Sequence, residues 1–188
     1  MIGQTVRLEP LTEDHARDLS EVVTMDTFRW FAGFKLHATD EAEMRRWVRI
    51  AQAKPRSEAF AVILNETGKP IGSSSFLDIQ RENFNLEIGM TWYGDDFRGT
   101  KVNPESKLLL LTEAFDNRNC ERVMLKTDER NARSRAGILK LGAKFEGILR
   151  RAITMPDGFM RSHAVYSILK EEWPEVRAKL NERLAKTD

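Results

Sequence analysis

Residues 131–147, NARSRAGILKLGAKFEG, constrain this chain more than any other stretch. Asn131 suits a helix N-cap, Leu141-Gly142 suits the helix end, and an apolar strand pattern follows. Just upstream, residues 95–115 (DDFRGTKVNPESKLLLLTEAF) describe a polar turn leading into a second helix. Asn103 reads there as the cap and Pro104 as the first helical position, where a missing N–H costs nothing. Both helix N-termini are entered from strands and flanked by arginines. Exposed N–H groups and the positive end of a helix dipole suit a phosphorylated ligand.

The rest of the chain alternates strands and helices without a linker. Thr5–Glu9 reads as a strand stopped by Pro10, and Thr12 or Asp14 starts a helix with Ala16, Leu19, Val22 and Val23 on one face. Residues 28–36 (FRWFAGFKL) are aromatic and irregular. Asp40 and Glu43 form a capping-box pattern ahead of Met44, Trp47, Val48 and Ala51 at helical spacing. Phe60–Leu64 and Ile71–Leu77 read as strands joined by a hairpin turn. In Leu86–Trp92 the apolar residues Leu86, Ile88, Met90 and Trp92 alternate with Glu87, Gly89 and Thr91, which predicts two opposed faces. Beyond the second helix come a strand at Arg122–Thr127, a helix at Ala132–Leu141, a strand at Lys144–Ile153, a turn at Pro156-Asp157-Gly158, a strand at His163–Leu169 and a terminal helix from Trp173. The order predicts one domain over residues 1–188, a mixed α/β sheet with helices on both faces.

Composition removes several function classes. With 188 residues the chain is long enough to bury roughly 70% of its unfolded surface as one domain. A formal charge of +1 argues against bulk electrostatic binding to nucleic acid. The N-terminus lacks a signal-peptide core and no apolar run approaches spanning length, so no membrane role is expected. The single cysteine, Cys120, permits no internal disulfide and points to the cytoplasm. His15, His37 and His163 show no metal-ligand spacing, so no metal is expected.

The segments LEIGMTW (86–92), FRGTKVNPESKLLLL (97–111), LKTDERNARSRAGILKLGAKFEG (125–147) and YSILKEEWP (166–174) resemble the GCN5-related N-acetyltransferases, specifically their RimJ/RimL-like branch. The resemblance spans Val6 to Leu184. It implies a mostly antiparallel sheet split by a V-shaped opening between the fourth and fifth strands, entered by acetyl-CoA as co-substrate. One departure stands out: Lys101 and Asn103 occupy positions where the family's phosphate loop carries small residues, whereas Asn103, Glu105 and Lys107 match an Asn-x-Glu-x-Lys subgroup pattern.

The resemblance assigns expected roles residue by residue. Glu87 is the candidate general base, although its position equally suits an ion pair. Ser134 is the candidate donor to the departing thiolate. Met90, Thr91 and Trp92 would offer backbone groups to pantetheine, with Asn131 beside them. Arg98, Gly99, Thr100, Lys101, Val102, Asn103, Arg133 and Arg135 are the candidate phosphate contacts. Trp30, Phe31 and Phe34 would line the acceptor side. The expected activity is acetyl transfer to a primary amine, on a protein N-terminus or a small molecule, by direct transfer. A degenerate acyl-CoA sensor is the alternative, and a homodimer is left open.

Overall fold

A computed structural model describes residues 1–155 and 157–186. Pro156, the first residue of the expected turn, lies outside the described residues. One seven-stranded sheet runs in the order β1-β2-β3-β4-β5-β7-β6. Its strands are β1 (Val6–Pro10), β2 (Glu58–Leu64), β3 (Pro70–Gln80), β4 (Asn85–Tyr93), β5 (Arg122–Asp128), β6 (Lys144–Thr154) and β7 (Met160–Leu169). Every neighbouring pair is antiparallel except β4 and β5, which are parallel. The helices are α1 (Ala16–Val22), α2 (Glu41–Gln52), α3 (Val102–Thr112), α4 (Ala132–Lys140) and α5 (Trp173–Lys186).

Two hydrophobic clusters lie on opposite faces of the sheet. Leu86, Ile88, Leu110, Leu111, Tyr166 and Leu180 belong to the cluster beneath α3 and α5. Leu19, Phe28, Met44, Trp47, Val48 and Trp92 belong to the one beneath α1 and α2. The apolar stripe of α2 is fully buried, as its spacing predicts. Its expected capping box forms only by half: Asp40 accepts from Glu43 N at 2.8 Å, but the Glu43 carboxylate accepts from His37 N instead.

Three local expectations are corrected. Pro10 belongs to β1, pairing with Phe60 at the sheet edge, where its missing N–H is harmless. The helix at Thr12 begins as one 3₁₀ turn, Glu13–His15, before α1 proper. Asn103 does not cap α3: the helix begins at Val102 with Lys101 as its N-cap. The Thr100 hydroxyl accepts from Val102 N (3.3 Å) and donates to Phe97 O (2.8 Å), tightening the turn one step earlier. Pro104 still lies in the first turn, where no intrahelical N–H is needed.

The largest departure lies in β4. Ser73 pairs with Trp92 and Ser75 with Gly89, so β4 holds one residue more than β3 between those two pairs. That β-bulge carries Met90 at φ +49°, a left-handed conformation uncommon for a side-chain-bearing residue. An extra residue reverses the alternation beyond it. Leu86 and Ile88 face the α3 side, whereas Met90 and Trp92 pack with the α2 side. The single apolar face expected of Leu86–Trp92 is therefore two half-faces joined at the bulge.

Candidate active site

The β4–β5 ladder pairs only Asn85–Glu87 with Arg122–Met124. Beyond Glu87, β4 continues along β3, while β5 continues along β7 as far as Asp128. The strands therefore part directly after Glu87, and the Met90 bulge stands at the opening. Both expected helix N-termini, α3 and α4, follow from these two strands.

Glu87 sits on the α2 side at the last ladder pair, and only 3% of it is exposed. Gly89 makes room for its carboxylate: a Cβ on Gly89 would lie 2.8 Å from Glu87 Oε1. Burial raises the Glu87 carboxyl above its ordinary value, and the nearby Lys126 charge opposes that only in part. The Lys126 Nζ lies 2.7 Å from Glu87 Oε2, reaching across from β5. A buried carboxyl with a raised pKa is a stronger base than an exposed one, the property a proton acceptor needs.

Beside this pair, the same face carries further charges that the sequence reading did not single out. Asp128 is fully buried and accepts from Arg130 Nε (2.9 Å) and Nη2 (2.7 Å). Burial works to raise the Asp128 carboxyl, but the Arg130 hydrogen bonds and charge hold it below its usual range. Arg161 Nε stands 3.6 Å from Asp128, and Arg161 Nη1 donates to Trp30 O at 2.6 Å. That bond fastens the aromatic segment after α1 to the sheet. Burial lowers the His163 imidazole to about 4, so it is neutral at physiological pH. Strand alternation could have placed Lys126 and Asp128 with Glu87, because Val123 and Leu125 claim the other face.

The aromatic candidates separate. Trp30 lies near Arg130, whose guanidinium is 5.7 Å from its ring centroid. Phe31 is half-buried and packs edge-on against Phe28 and Trp47. Phe34 is buried among Phe28 and Trp47 with Arg46 over its ring, which makes it a core residue.

At the second strand, Asn131 caps α4, its Oδ1 accepting from Ser134 N at 3.1 Å. Ser134 is half-buried and lies one turn inside. Arg133 is exposed on the same turn. Arg135 is engaged elsewhere, donating to the Tyr166 hydroxyl (3.0 Å) and to Glu129 O (3.2 Å). At the first helix, Gly99 takes φ +81°, the left-handed freedom the loop requires. Arg98 Nε donates to Tyr93 O at 3.2 Å, bracing that loop against the end of β4.

The subgroup pair of α3 has structural partners. Glu105 is buried, and its carboxylate accepts from the backbone N–H groups of Gln4 (2.6 Å), Thr5 (2.8 Å) and Val6 (2.9 Å). Lys107 is also buried, and its Nζ donates to Ser74 Oγ (3.2 Å) and Thr91 Oγ1 (2.6 Å), next to the bulge. Burial lowers its amine to about 7.

Comparison with known proteins settles the family. The model of the acetyltransferase (GNAT) domain matches residues 5–144. The chain belongs to the GNAT family. A crystal structure assigned provisionally as an acetyltransferase is 35% identical, with 98% of this chain and 93% of that one covered and a TM-score of 0.91. Another such structure, from T. thermophilus, is 36% identical over 97% of this chain and 95% of that one, with a TM-score of 0.89. A GCN5-related N-acetyltransferase from Brucella melitensis is 28% identical over 98% of this chain and 85% of that one, with a TM-score of 0.90. Among curated proteins the chain has no significant match. The GNAT domain is one that uses acetyl-CoA. Among the described residues no group of three or more His, Cys, Asp or Glu is arranged to hold a metal, and no helix is long and apolar enough to cross a membrane.

Proposed function

We propose that this GNAT protein is an acetyl-CoA-dependent N-acetyltransferase of RimJ/RimL-like type, moving acetyl directly to a primary amine in a ternary complex. The observation that carries this reading is Glu87, buried at the point where β4 and β5 part and close to a glycine that accommodates its carboxylate. Glu87 takes the ammonium proton, directly or through water. Ser134, held one turn inside α4 by the Asn131 cap, donates to the departing thiolate. The strained Met90 bulge, with Thr91 and Trp92, presents backbone groups to pantetheine as an added strand would. Gly99, Thr100, Lys101, Val102 and Asn103 at the start of α3, with Arg98 and Arg133 flanking, receive the phosphates. Arg135, one residue beyond Ser134 and bonded to the Tyr166 hydroxyl, flanks the same helix start as a further phosphate contact.

Fold likeness to RimJ from Mycobacterium smegmatis, a structure in complex with CoA-disulfide, accompanies the branch reading at 21% identity and a TM-score of 0.77. The acceptor is a protein N-terminus or a small amine that enters past Trp30 and Phe31, from the cytoplasm. The exposed edge strand β6, with Phe145 and Leu149 turned to solvent, supports a homodimer.

A panel of N-terminal peptides, amino acids, polyamines and aminoglycosides tests the activity by acetyl-CoA-dependent thiol release. At least one amine should turn over, and the rate should depend on Glu87. Calorimetric binding of acetyl-CoA without turnover of any amine would make the protein an acyl-CoA sensor instead.

A further inference from the structure

Glu87 already has an amine against it. Lys126 Nζ lies 2.7 Å from Glu87 Oε2, within the reach a general base needs to take a proton from its acceptor. The placement is specific to the opening. Glu87 pairs with Met124 in the last rung of the β4–β5 ladder, and Lys126 lies two residues further along β5, where the strands have separated. Its side chain therefore bridges the mouth of the gap rather than lying along one strand. The Glu87 side chain is buried, while that of Lys126 is 35% accessible, so the amine meets the base from the open side. Among the ion pairs of the described residues, Lys69 is matched with Glu21, Lys144 with Glu172, Lys170 with Glu121 and Lys179 with Glu175. Lys107 lies on the other face of the sheet, held by two hydroxyls.

We infer that Lys126 stands in the place of the acceptor amine, and that the enzyme acetylates its own Lys126 when acetyl-CoA is bound and no external amine competes. This rests on the reading of Glu87 as the base. In the step, Glu87 takes one proton from the Lys126 ammonium, and the freed Nζ lone pair forms a C–N bond with the thioester carbonyl carbon. The C–S bond breaks and CoA departs as thiolate. The second proton lost by nitrogen reaches the sulfur, and the proton on Glu87 leaves to solvent. The products are N6-acetyl-lysine, CoA and one released proton. An acetylated Lys126 has lost its charge, so Glu87 keeps its burial without the opposing cation. Self-acetylation would thus retune the base whenever acceptor runs short.

The test is incubation of the whole protein with acetyl-CoA bearing a deuterated acetyl group, followed by intact mass and peptide mapping. The wild-type, Lys126→Arg and Glu87→Gln proteins are compared, with urea-unfolded wild type giving the chemical background and circular dichroism checking each fold. Lys126 should take up label at least about tenfold faster than the other lysines, and Glu87→Gln should abolish that preference. An external amine that turns over should protect Lys126. Uniform labelling of lysines, or preferential labelling of Lys126 that persists in Glu87→Gln, would overturn the inference. Glu87-dependent turnover of external amines with Lys126 unlabelled refutes self-acetylation alone. No amine turnover together with Glu87-independent labelling refutes the base assignment as well.

Discussion

Replacing Lys107 with Met should make the protein more stable at neutral pH and should remove the rise in stability that the wild type gains toward alkaline pH. In the folded state burial lowers the Lys107 amine from 10.5 to about 7. In the unfolded chain it returns to the ordinary value. Between those two values the unfolded state binds more protons than the folded state, so stability rises with pH across that window. Below about 7 both states are charged and the folded one bears the full cost of a buried ammonium. At about 1.4 kcal/mol per pH unit, the interval corresponds to a ceiling of roughly 5 kcal/mol.

Removal of the amine leaves little unsatisfied behind, because Ser74 Oγ and Thr91 Oγ1 already bond each other at 2.7 Å. A methionine of similar length fills the space without a charge, so the cost of an orphaned polar group does not arise. Urea denaturation of both proteins at pH steps from about 6 to about 10 reads the effect across the window of the shifted amine. Groups common to both cancel in the difference. Lys107→Met should exceed wild type by at least about 2 kcal/mol near pH 7, and the gap should close as pH rises. Parallel stability curves would refute the reasoning and would mean that the amine is hydrated or paired in solution.

Other perturbations read the site itself. Glu87→Gln should lower turnover by roughly 10²-fold at neutral pH, with the deficit shrinking at alkaline pH where the acceptor is already deprotonated; a pH–rate profile with unchanged turnover at neutrality counts against the base. Ser134→Ala should lower turnover without that alkaline rescue, since its part concerns the thiolate; full recovery at high pH would assign Ser134 to the amine side. Asn131→Ala should cost about 1 kcal/mol of stability, as caps usually do, measured by thermal melting. Gly89→Ala should impair turnover because the new Cβ would lie 2.7 Å from Leu77 Cδ1 and 2.8 Å from Glu87 Oε1; an alanine enzyme with normal kinetics would show that the carboxylate is free to move.

Elements whose identity rests on a local pattern were legible in the sequence. The buried stripe of α2, the Asn131 cap and the succession of strands and helices along the chain all follow from spacing and end signals. Positions set by partners far along the chain were not. The spacing of Asn103, Glu105 and Lys107 says nothing of the partners of Lys107, which exist only once β3 and β4 bring Ser74 and Thr91 beneath it. Glu105 likewise gains its partners only when the N-terminal backbone of Gln4, Thr5 and Val6 converges on it. The start of α3 moved forward because the Thr100 hydroxyl bonds the Val102 N–H ahead of Asn103, a local device that a cap pattern with Pro104 obscures.

The bulge explains why the site was harder to read than the fold. A strict two-residue period put Leu86, Ile88, Met90 and Trp92 on one face, and each of those residues is apolar enough to agree. Nothing in that composition reports the inserted residue, because either face of β4 meets a hydrophobic cluster. The bulge becomes visible only through the register against β3, where Ser73 and Ser75 enclose one residue and Trp92 and Gly89 enclose two. Its consequence is functional geometry. With Met90 left-handed, β4 turns away from β5 after Glu87, which frees both strand edges for a ligand and leaves the carboxylate at the corner. Lys126, on the face of β5 that Glu87 takes on β4, reaches that carboxylate just past the last ladder pair. One irregular residue thus stands where the cleft opens, beside the ion pair of Lys126 and Glu87.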